Sequence, residues 1–134
     1  MKVFLDATIL YSASRPDSLM ARFIDLLLQR TECVSNNYAL CEAERNLARN
    51  EPACLVHLEA IRQRLQIVTA LQDIPGVELR EKDRPILAGA VAGACSHLLT
   101  SDRRDFSCFF GKKIQGVKVV SPQMLAEEIG LKRK

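Results

Sequence analysis

Apolar residues along this chain fall into short continuous runs, separated by longer stretches in which they recur every three or four positions. Short runs are typical of buried strands, and the longer recurring pattern is typical of helices packed on one face. The strands predicted in this way span residues 2–5, 32–35, 67–69, 97–100 and 117–120. The predicted helices span residues 19–30, 37–50, 53–65, 86–94 and 123–129. Asp17 or Ser18 is placed to cap the first of these helices, and Asp83 the fourth.

The order of these segments predicts an α/β fold. Strands that alternate with helices are joined by right-handed crossovers and form a mostly parallel sheet with helices on both faces. The predicted strands are apolar throughout, as expected when both faces of a sheet are buried. We therefore expect one domain over residues 1–134, with three α/β/α layers around a sheet of about five strands. In such folds ligands bind beyond the carboxyl ends of the strands.

The composition excludes several other classes of protein. The apolar runs are far shorter than the roughly 20 residues that a membrane span needs. An acidic residue, Asp6, stands where a signal peptide would continue its apolar core, so we expect a cytoplasmic protein. The five cysteines are odd in number and show no CxxC spacing, which favours reduced and mostly buried residues over a disulfide framework or a zinc site. His57 and His97 have no cysteine or histidine at ligand spacing, and we interpret them as structural.

The net charge of +3 is unevenly distributed. Residues 101–134 carry a balance of +4, whereas residues 1–100 carry −1. A basic C-terminal third suits a polyanionic partner, although a solvated charged face is the common explanation.

Four acidic residues are predicted to lie where this fold class forms its ligand site. Asp6 ends the first strand, Asp102 follows the fourth, and Asp83 precedes the helix that leads into the fourth strand. Glu42 lies in the first turns of the helix after strand two, and Glu44 lies about 200° around that helix and cannot point the same way. Carboxylates gathered without basic partners repel one another, and a divalent cation removes that cost. Oxygen ligands suit Mg²⁺ or Mn²⁺, which can activate water and neutralise a phosphodiester without a protein nucleophile.

Each of these acidic residues also has a structural interpretation. Asp83 alone is explained as a helix cap, and Asp6 as the end of a strand. Asp6, Asp83 and Asp102 all fall at one edge of the predicted sheet, however, and this shared position favours a site.

Several segments of the chain resemble the motifs of PIN domains, in the same order. Residues 3–10 (VFLDATIL) resemble the opening strand with its Asp, and residues 40–47 (LCEAERNL) are similar to the second motif. Residues 81–87 (EKDRPIL) and 99–106 (LTSDRRDF) look like the third and fourth motifs, and residues 117–122 (VKVVSP) resemble the strand and helix start that close the domain. The resemblance covers nearly the whole chain.

The resemblance implies a metal-dependent ribonuclease, usually the toxin of a VapBC-type toxin–antitoxin pair. Asp6, Glu42, Asp83 and Asp102 would hold Mg²⁺ or Mn²⁺, and Asp105 would act as an auxiliary acid. Such toxins cleave RNA, are typically homodimers, and are silenced by an antitoxin protein that covers the site.

Two threonines would support these carboxylates. Thr8 and Thr100 would orient a carboxylate or a metal-bound water through their hydroxyl groups. Thr8 departs from the family pattern, because PIN domains commonly have Asn or Ser at this position.

Four arginines, Arg45, Arg49, Arg103 and Arg104, flank the acidic residues in the sequence. One interpretation is that they hold RNA phosphates on either side of the cut, since phosphate contacts position a substrate without distinguishing its sequence. The other is that they pair with nearby carboxylates and stabilise the helices. The sequence leaves both open.

Two other classes of protein that place an Asp after the first strand need further residues that this chain lacks. A HAD-type phosphatase needs a second Asp two residues after the first, where this chain has Thr8, and a receiver domain needs an acidic pair near the first strand, which is absent. Three alternatives stay open: a PIN-like binding or scaffold module without catalysis, a stand-alone RNA-processing nuclease, and a metal-dependent nuclease that acts on DNA.

Overall fold

The computed structural model describes residues 1–81 and 83–131. The strands are β1 (Lys2–Leu5), β2 (Glu32–Asn36), β3 (Gln66–Val68), β4 (His97–Leu99), β5 (Lys113–Ile114) and β6 (Val117–Val120). The helices are α1 (Ala7–Ala13), α2 (Leu19–Arg30), α3 (Asn37–Asn50), α4 (Leu55–Arg62), α5 (Arg84–Ala92) and α6 (Pro122–Glu128).

The strands form one mostly parallel sheet flanked by helices, which confirms the predicted α/β class. Its strand order is β3-β2-β1-β4-β6-β5, and only the pairing of β5 with β6 is antiparallel. The register aligns Leu5 of β1 with Leu99 of β4. The residues that follow these two strands are therefore neighbours at the carboxyl edge of the sheet.

The centre of the sheet is buried, as its apolar sequence predicts. Val3, Phe4 and Leu5 of β1 have no exposed surface. Helix α5 lies close against this part of the sheet, because a Cβ on Gly89 would stand only 2.4 Å from the side-chain nitrogen of Asn36 and 3.2 Å from the Phe4 ring. The Ala- and Gly-rich sequence of α5 permits this close approach, because small side chains leave room for the sheet.

Helix caps explain several of the boundaries. The Ser18 hydroxyl accepts a hydrogen bond from the Ala21 amide at 3.0 Å, and Ser121 accepts one from Met124 at 3.2 Å. Asn36 caps α3 in the same way through Ala39, at 3.0 Å. Each cap satisfies an amide of the first helical turn that has no partner within the helix.

The structure differs from the sequence-based prediction in several elements. Helix α1 and the two-residue strand β5 were not predicted, since both are too short to show a periodic pattern. The helix expected over residues 53–65 is a 3-10 turn at Pro52–Cys54 followed by α4. The helix expected over residues 86–94 begins two residues earlier, because Pro85 is tolerated in a first turn, where its missing amide leaves no bond unmade.

The cysteine prediction was partly wrong. All five cysteines are free thiols, and Cys33 and Cys95 are buried as expected. Cys41 and Cys108 are exposed, because Cys41 lies on the outer face of α3 and Cys108 lies on a short 3-10 turn, Ser107–Phe109, that has no buried residues. Among the described residues no helix is both long enough and apolar enough to traverse a lipid bilayer.

Candidate active site

Three aspartates come together at the carboxyl edge of the sheet. Asp83, Asp102 and Asp105 each offer a carboxylate oxygen, and these oxygens lie within 4.8 Å of one another. Asp83 is buried and immediately precedes α5, while Asp102 and Asp105 are half-buried in the segment after β4. We refer to Asp83, Asp102 and Asp105 as the aspartate cluster.

A tight turn after β4 builds one side of this cluster. The Asp102 Oδ1 atom accepts hydrogen bonds from the backbone amides of Arg104 at 3.1 Å and Asp105 at 3.0 Å. Phe106, which is fully buried, donates its amide to the Asp102 carbonyl and anchors the turn in the core. The turn folds the chain back on itself, so that the Asp105 carboxylate lies beside that of Asp102.

The helix-cap interpretation of Asp83 is wrong. Asp83 occupies the N-cap position of α5, but its side chain caps no backbone amide. Its backbone is near-helical, with φ −98° and ψ −15°, rather than extended as in a typical N-cap. A helix cap was the structural explanation for Asp83, and the side chain makes no such cap.

Arg80 is a basic partner of the cluster that the sequence did not reveal. Its guanidinium lies 3.4 Å from the Asp105 carboxylate, whose side chain is only 6% exposed. The pKa of Asp105 is held below its ordinary value, first by a hydrogen bond with Asp83, then by one with Asp102 and by the charge of Arg80. Arg80 therefore offsets part of the negative charge that the three carboxylates bring together.

Asp6 lies next to the cluster but is engaged by the protein itself. One carboxylate oxygen accepts the Ala7 amide at 2.7 Å. The other accepts the Thr100 hydroxyl at 2.6 Å and the Thr8 hydroxyl at 3.3 Å. Thr100 in turn accepts the Asp102 amide at 3.0 Å, so a short chain of hydrogen bonds joins Asp6 to the aspartate cluster.

Burial makes the negative charge of Asp6 costly. The residue is 5% exposed, and its pKa is raised from 3.8 to about 6. The largest cause is loss of hydration, which the hydrogen bonds from Thr100 and Ala7 oppose. The negative charges of Glu42 and Asp102 raise the pKa further, which shows that both lie within electrostatic reach of Asp6.

Glu42 approaches the site from the opposite side. It is half-buried in a cleft of about 370 Å³ between α1 and α3, which Thr8 and Asn46 also line. Glu44 is exposed and lies in a separate groove between α3 and α4. Of the two glutamates on α3, only Glu42 therefore faces the acidic site. Asp6 and Glu42 lie outside the group of three aspartates whose oxygens are within 4.8 Å.

The four flanking arginines are all exposed. Arg45 and Arg49 lie on α3, and Arg103 and Arg104 lie on the turn after β4. Within residues 1–81 and 83–131, none of the four takes part in an ion pair. The interpretation that they serve mainly to neutralise nearby carboxylates is thus without support in the described structure.

The Thr100 hydroxyl yields a direct prediction. Replacing Thr100 with Val removes a hydrogen bond to Asp6 and the acceptor of the Asp102 amide, while it keeps the shape of the buried side chain. We expect the pKa of Asp6 to rise further, and the free energy of unfolding to fall by about 1–3 kcal/mol. The pKa is measured by NMR titration of the Asp6 carboxyl carbon. Thr100→Ser keeps the hydroxyl and should restore both values. An Asp6 titration unchanged in Thr100→Val would contradict the hydrogen-bond assignment.

The chemistry of the donor set fits a divalent cation. The three side chains of the cluster all offer carboxylate oxygens, and hard oxygen ligands are those that Mg²⁺ and Mn²⁺ prefer. A cation between them would offset the mutual repulsion of the three carboxylates.

The fold is PIN-like. No protein-family model matches the chain, and no curated protein matches it in sequence. Solved structures of PIN-domain toxins from toxin–antitoxin systems do match it in three dimensions.

VapBC2 from Rickettsia felis, bound to a DNA fragment from its promoter, is similar with a TM-score of 0.62 and 18% identity, over 90% of this chain and 98% of that chain. FitAcB from Neisseria gonorrhoeae has a TM-score of 0.57 and 18% identity, and the match covers 90% of this chain and 98% of that chain. VapC20 from Mycobacterium tuberculosis, described as a toxin that cleaves the Sarcin-Ricin loop, has a TM-score of 0.56 and 18% identity. The match covers 79% of this chain and 93% of that chain. Identity at this level establishes a shared fold.

Proposed function

We propose that this protein is a metal-dependent endoribonuclease that hydrolyses RNA phosphodiester bonds, and that it is the toxin of a toxin–antitoxin pair. The observation that carries the proposal is the aspartate cluster. Three carboxylates whose oxygens lie within 4.8 Å, at the carboxyl edge of a parallel sheet, form the kind of site that a PIN-like nuclease needs.

In this proposal the acidic residues have distinct roles. Asp83, Asp102 and Asp105 hold Mg²⁺ or Mn²⁺, which when bound supplies charge neutralisation for the phosphodiester and a more acidic water. Asp6 is oriented by Thr8 and Thr100 and adds a buried negative charge behind the cluster. Glu42 contributes a carboxylate from the facing cleft. Asp105 thereby takes a larger part than the auxiliary one that the sequence resemblance implied.

The substrate is proposed to be a single RNA strand that crosses the aspartate cluster. Exposed guanidinium groups are carried by two segments that also supply acidic residues: Arg45 and Arg49 by α3, and Arg103 and Arg104 by the turn after β4. Each is suited to a phosphate oxygen, and contacts of this kind fix the position of a strand without selecting its sequence.

The proposed partners follow from the complexes that share this fold. Solved relatives include VapBC2 and FitAB, each bound to DNA. We propose an antitoxin protein that covers the acidic site, a homodimer as the functional form, and action in the cytoplasm by one PIN-like domain over residues 1–134.

Two alternatives are distinguished from this proposal by experiment. A PIN-like scaffold module binds partners but cuts no RNA, with or without metal. A stand-alone processing nuclease cuts RNA but has no antitoxin, so an adjacent antitoxin-like reading frame separates it from a toxin.

Cleavage of a mixed RNA pool by the purified protein is the experiment that tests the proposal. We expect cutting with Mn²⁺ or Mg²⁺, loss of cutting with EDTA, and recovery when metal is added back in excess. A DNA pool of matched sequence runs beside it, and we expect the RNA to be the better substrate. Folded, inhibitor-free protein that cuts neither pool would favour the scaffold alternative, and equal cutting of the two would favour a general nuclease.

A further inference from the structure

A second cleft opens beside the aspartate cluster, between the turn after β4 and helix α6. We call it the α6 cleft. Its volume is about 390 Å³, and the side chains that give it its character are Arg103, Phe110, Gln123, Met124 and Glu127. None of the acidic residues of the candidate active site lines it.

The α6 cleft opens at the same edge of the sheet as the aspartate cluster. Arg103, in its wall, directly follows Asp102 in the turn. Ser121, also in its wall, follows strand β6, which is the neighbour of β4 in the sheet. The α6 cleft and the aspartate cluster therefore share the carboxyl edge of the sheet. The cleft between α1 and α3, which contains Glu42, opens beside Asp6 and the residues that follow it.

Backbone hydrogen bonds hold the α6 cleft in shape. The Gly111 amide donates to the Val119 carbonyl at 2.8 Å, which attaches the loop that carries Phe110 to the sheet. Met124 donates its amide to the Ser121 hydroxyl at 3.2 Å, which fixes the start of α6. Phe110 and Met124 are both partly buried and packed against the core, so the apolar walls are present before any ligand binds.

The lining of the α6 cleft combines apolar side chains with one cation and with oxygen acceptors. Phe110 and Met124 offer flat or soft apolar surface, as needed to sandwich an aromatic ring. Arg103 is exposed and suits a phosphate. This combination of an aromatic wall and a basic group is the one with which proteins bind unpaired nucleotides.

The acceptors come from one pair of side chains on α6. The Gln123 amide nitrogen donates to Glu127 Oε1 at 3.4 Å. This bond leaves the Gln123 carbonyl and the second oxygen of Glu127 as acceptors, because a carboxylate has no donor. These acceptors belong to two hydrogen-bonded side chains one helical turn apart, and a pair of acceptors suits guanine, whose pairing edge carries two adjacent N–H donors. Uracil is matched poorly, because its single donor lies between two carbonyl groups.

We propose that the α6 cleft binds one unpaired base of the RNA strand next to the cut, with guanine preferred. Phe110 and Met124 hold the faces of the base, Glu127 and Gln123 bind its edge, and Arg103 contacts the adjoining phosphate. The cleft is then a specificity-determining subsite, separate from the carboxylates that carry out the cleavage. This inference rests on the proposed function for its biological meaning, but base binding itself needs no catalysis.

The first test follows the methyl resonance of Met124 by NMR in protein labelled with ¹³C-methyl methionine. The chain has three methionines, and Met1 and Met20 are outside the α6 cleft and serve as internal controls. We expect guanosine 5′-monophosphate to shift the Met124 methyl in a saturable manner, and uridine 5′-monophosphate to require a concentration roughly tenfold higher. Ribose 5-phosphate and inorganic phosphate lack a base and should leave the Met124 methyl nearly unmoved.

The variants separate stacking from edge contacts. Phe110→Leu keeps apolar volume but removes the aromatic ring, so all nucleotides should bind roughly tenfold more weakly. Phe110→Tyr keeps an aromatic ring and should bind nucleotides with wild-type affinity. Glu127→Gln should abolish the preference for guanine while nucleotides still bind. Glu44→Gln, an exposed change on the outer face of α3, is the matched control and should alter neither the nucleotide affinity nor the preference for guanine.

The second test sequences the cut ends produced from a random RNA pool. We expect wild-type protein to enrich guanine at one position beside the cut, and Glu127→Gln to lose that enrichment among the ends that it still produces. Glu44→Gln, outside the α6 cleft, should keep both the cutting rate and the enrichment. A Met124 methyl unmoved by every nucleotide, or cut sites unchanged in Glu127→Gln and Phe110→Leu, would overturn the inference while the ribonuclease proposal stands. A Met124 methyl shifted by guanosine monophosphate in protein that cuts no RNA would retain the subsite and reject the nuclease.

Discussion

Replacing Asp102 with Asn is expected to lower the rate of RNA cleavage by on the order of 1,000-fold, equivalent to about 4 kcal/mol of transition-state stabilisation. Asp102 is the member of the cluster that joins its parts, since its carboxylate lies near those of Asp83 and Asp105 and its amide donates to Thr100. Asn keeps the oxygen that accepts the amides of Arg104 and Asp105, so the turn should stay folded. What the variant loses is the negative charge that a divalent cation requires.

The rate is measured on one defined RNA with saturating Mn²⁺, and the folding of the variant is checked by its free energy of unfolding. Asp17→Asn is the control, because Asp17 is exposed and has φ +65°, a left-handed backbone conformation that Asn adopts readily. We expect Asp17→Asn to cut at the wild-type rate. A folded Asp102→Asn protein with wild-type activity would show that the cluster is not the site of cleavage.

Asp6 is expected to make the metal-free protein less stable as the pH rises from about 4 to about 6. Its pKa is 3.8 in the unfolded reference and about 6 when folded, so in this range the folded state binds more protons than the unfolded state. The stabilisation that the proton gives is complete below pH 3.8 and is lost as the pH rises through about 6. About two pKa units correspond to about 3 kcal/mol, which is the expected size of the loss.

The Asp6→Asn variant isolates this contribution from the other titrating groups. The free energy of unfolding is measured for both proteins with denaturant, in EDTA, at pH 3.5 and at pH 7. From the lower pH to the higher, the difference between Asp6→Asn and wild type should shift by about 3 kcal/mol in favour of the variant. Added Mn²⁺ should stabilise wild type at pH 7 more than it stabilises the variant. A difference between the two proteins that is the same at both pH values would mean that Asp6 is ionised at no cost.

The fold and the residues of the site were predictable to different degrees. Asp6 and Asp102 could be assigned to the same edge of the sheet because each comes at the end of a strand that the apolar pattern reveals, and parallel pairing aligns Leu5 with Leu99. Glu42 could be separated from Glu44 because the helical period fixes their relative directions. These inferences needed only the order of the strands and regular backbone geometry.

The partners of the carboxylates were beyond such reasoning. Arg80 lies in an irregular segment, and its contact with Asp105 depends on how that segment returns to the sheet edge. The closeness of Asp105 to the cluster depends on the turn that Asp102 closes with its own side chain, which has no periodic signature. Asp83 had the sequence context of a helix cap, but its near-helical backbone leaves the cap unmade.

The sequence did not reveal the α6 cleft, for a related reason. Phe110, Gln123 and Glu127 are separated along the chain by a hairpin whose first strand is only two residues long. A residue pattern cannot show that a loop aromatic faces a helix across such a connection. The basic C-terminal third gave the one relevant signal, since Arg103 belongs to it.

Binding of a divalent cation by the aspartate cluster can be measured by titrating the RNA-free protein with Mn²⁺, followed by electron paramagnetic resonance. We expect saturable binding by wild type and by Asp17→Asn, and affinity at least roughly tenfold weaker in Asp102→Asn. Wild-type affinity in a folded Asp102→Asn protein, or no saturable binding by wild type at neutral pH, would show that the cluster is not the metal site.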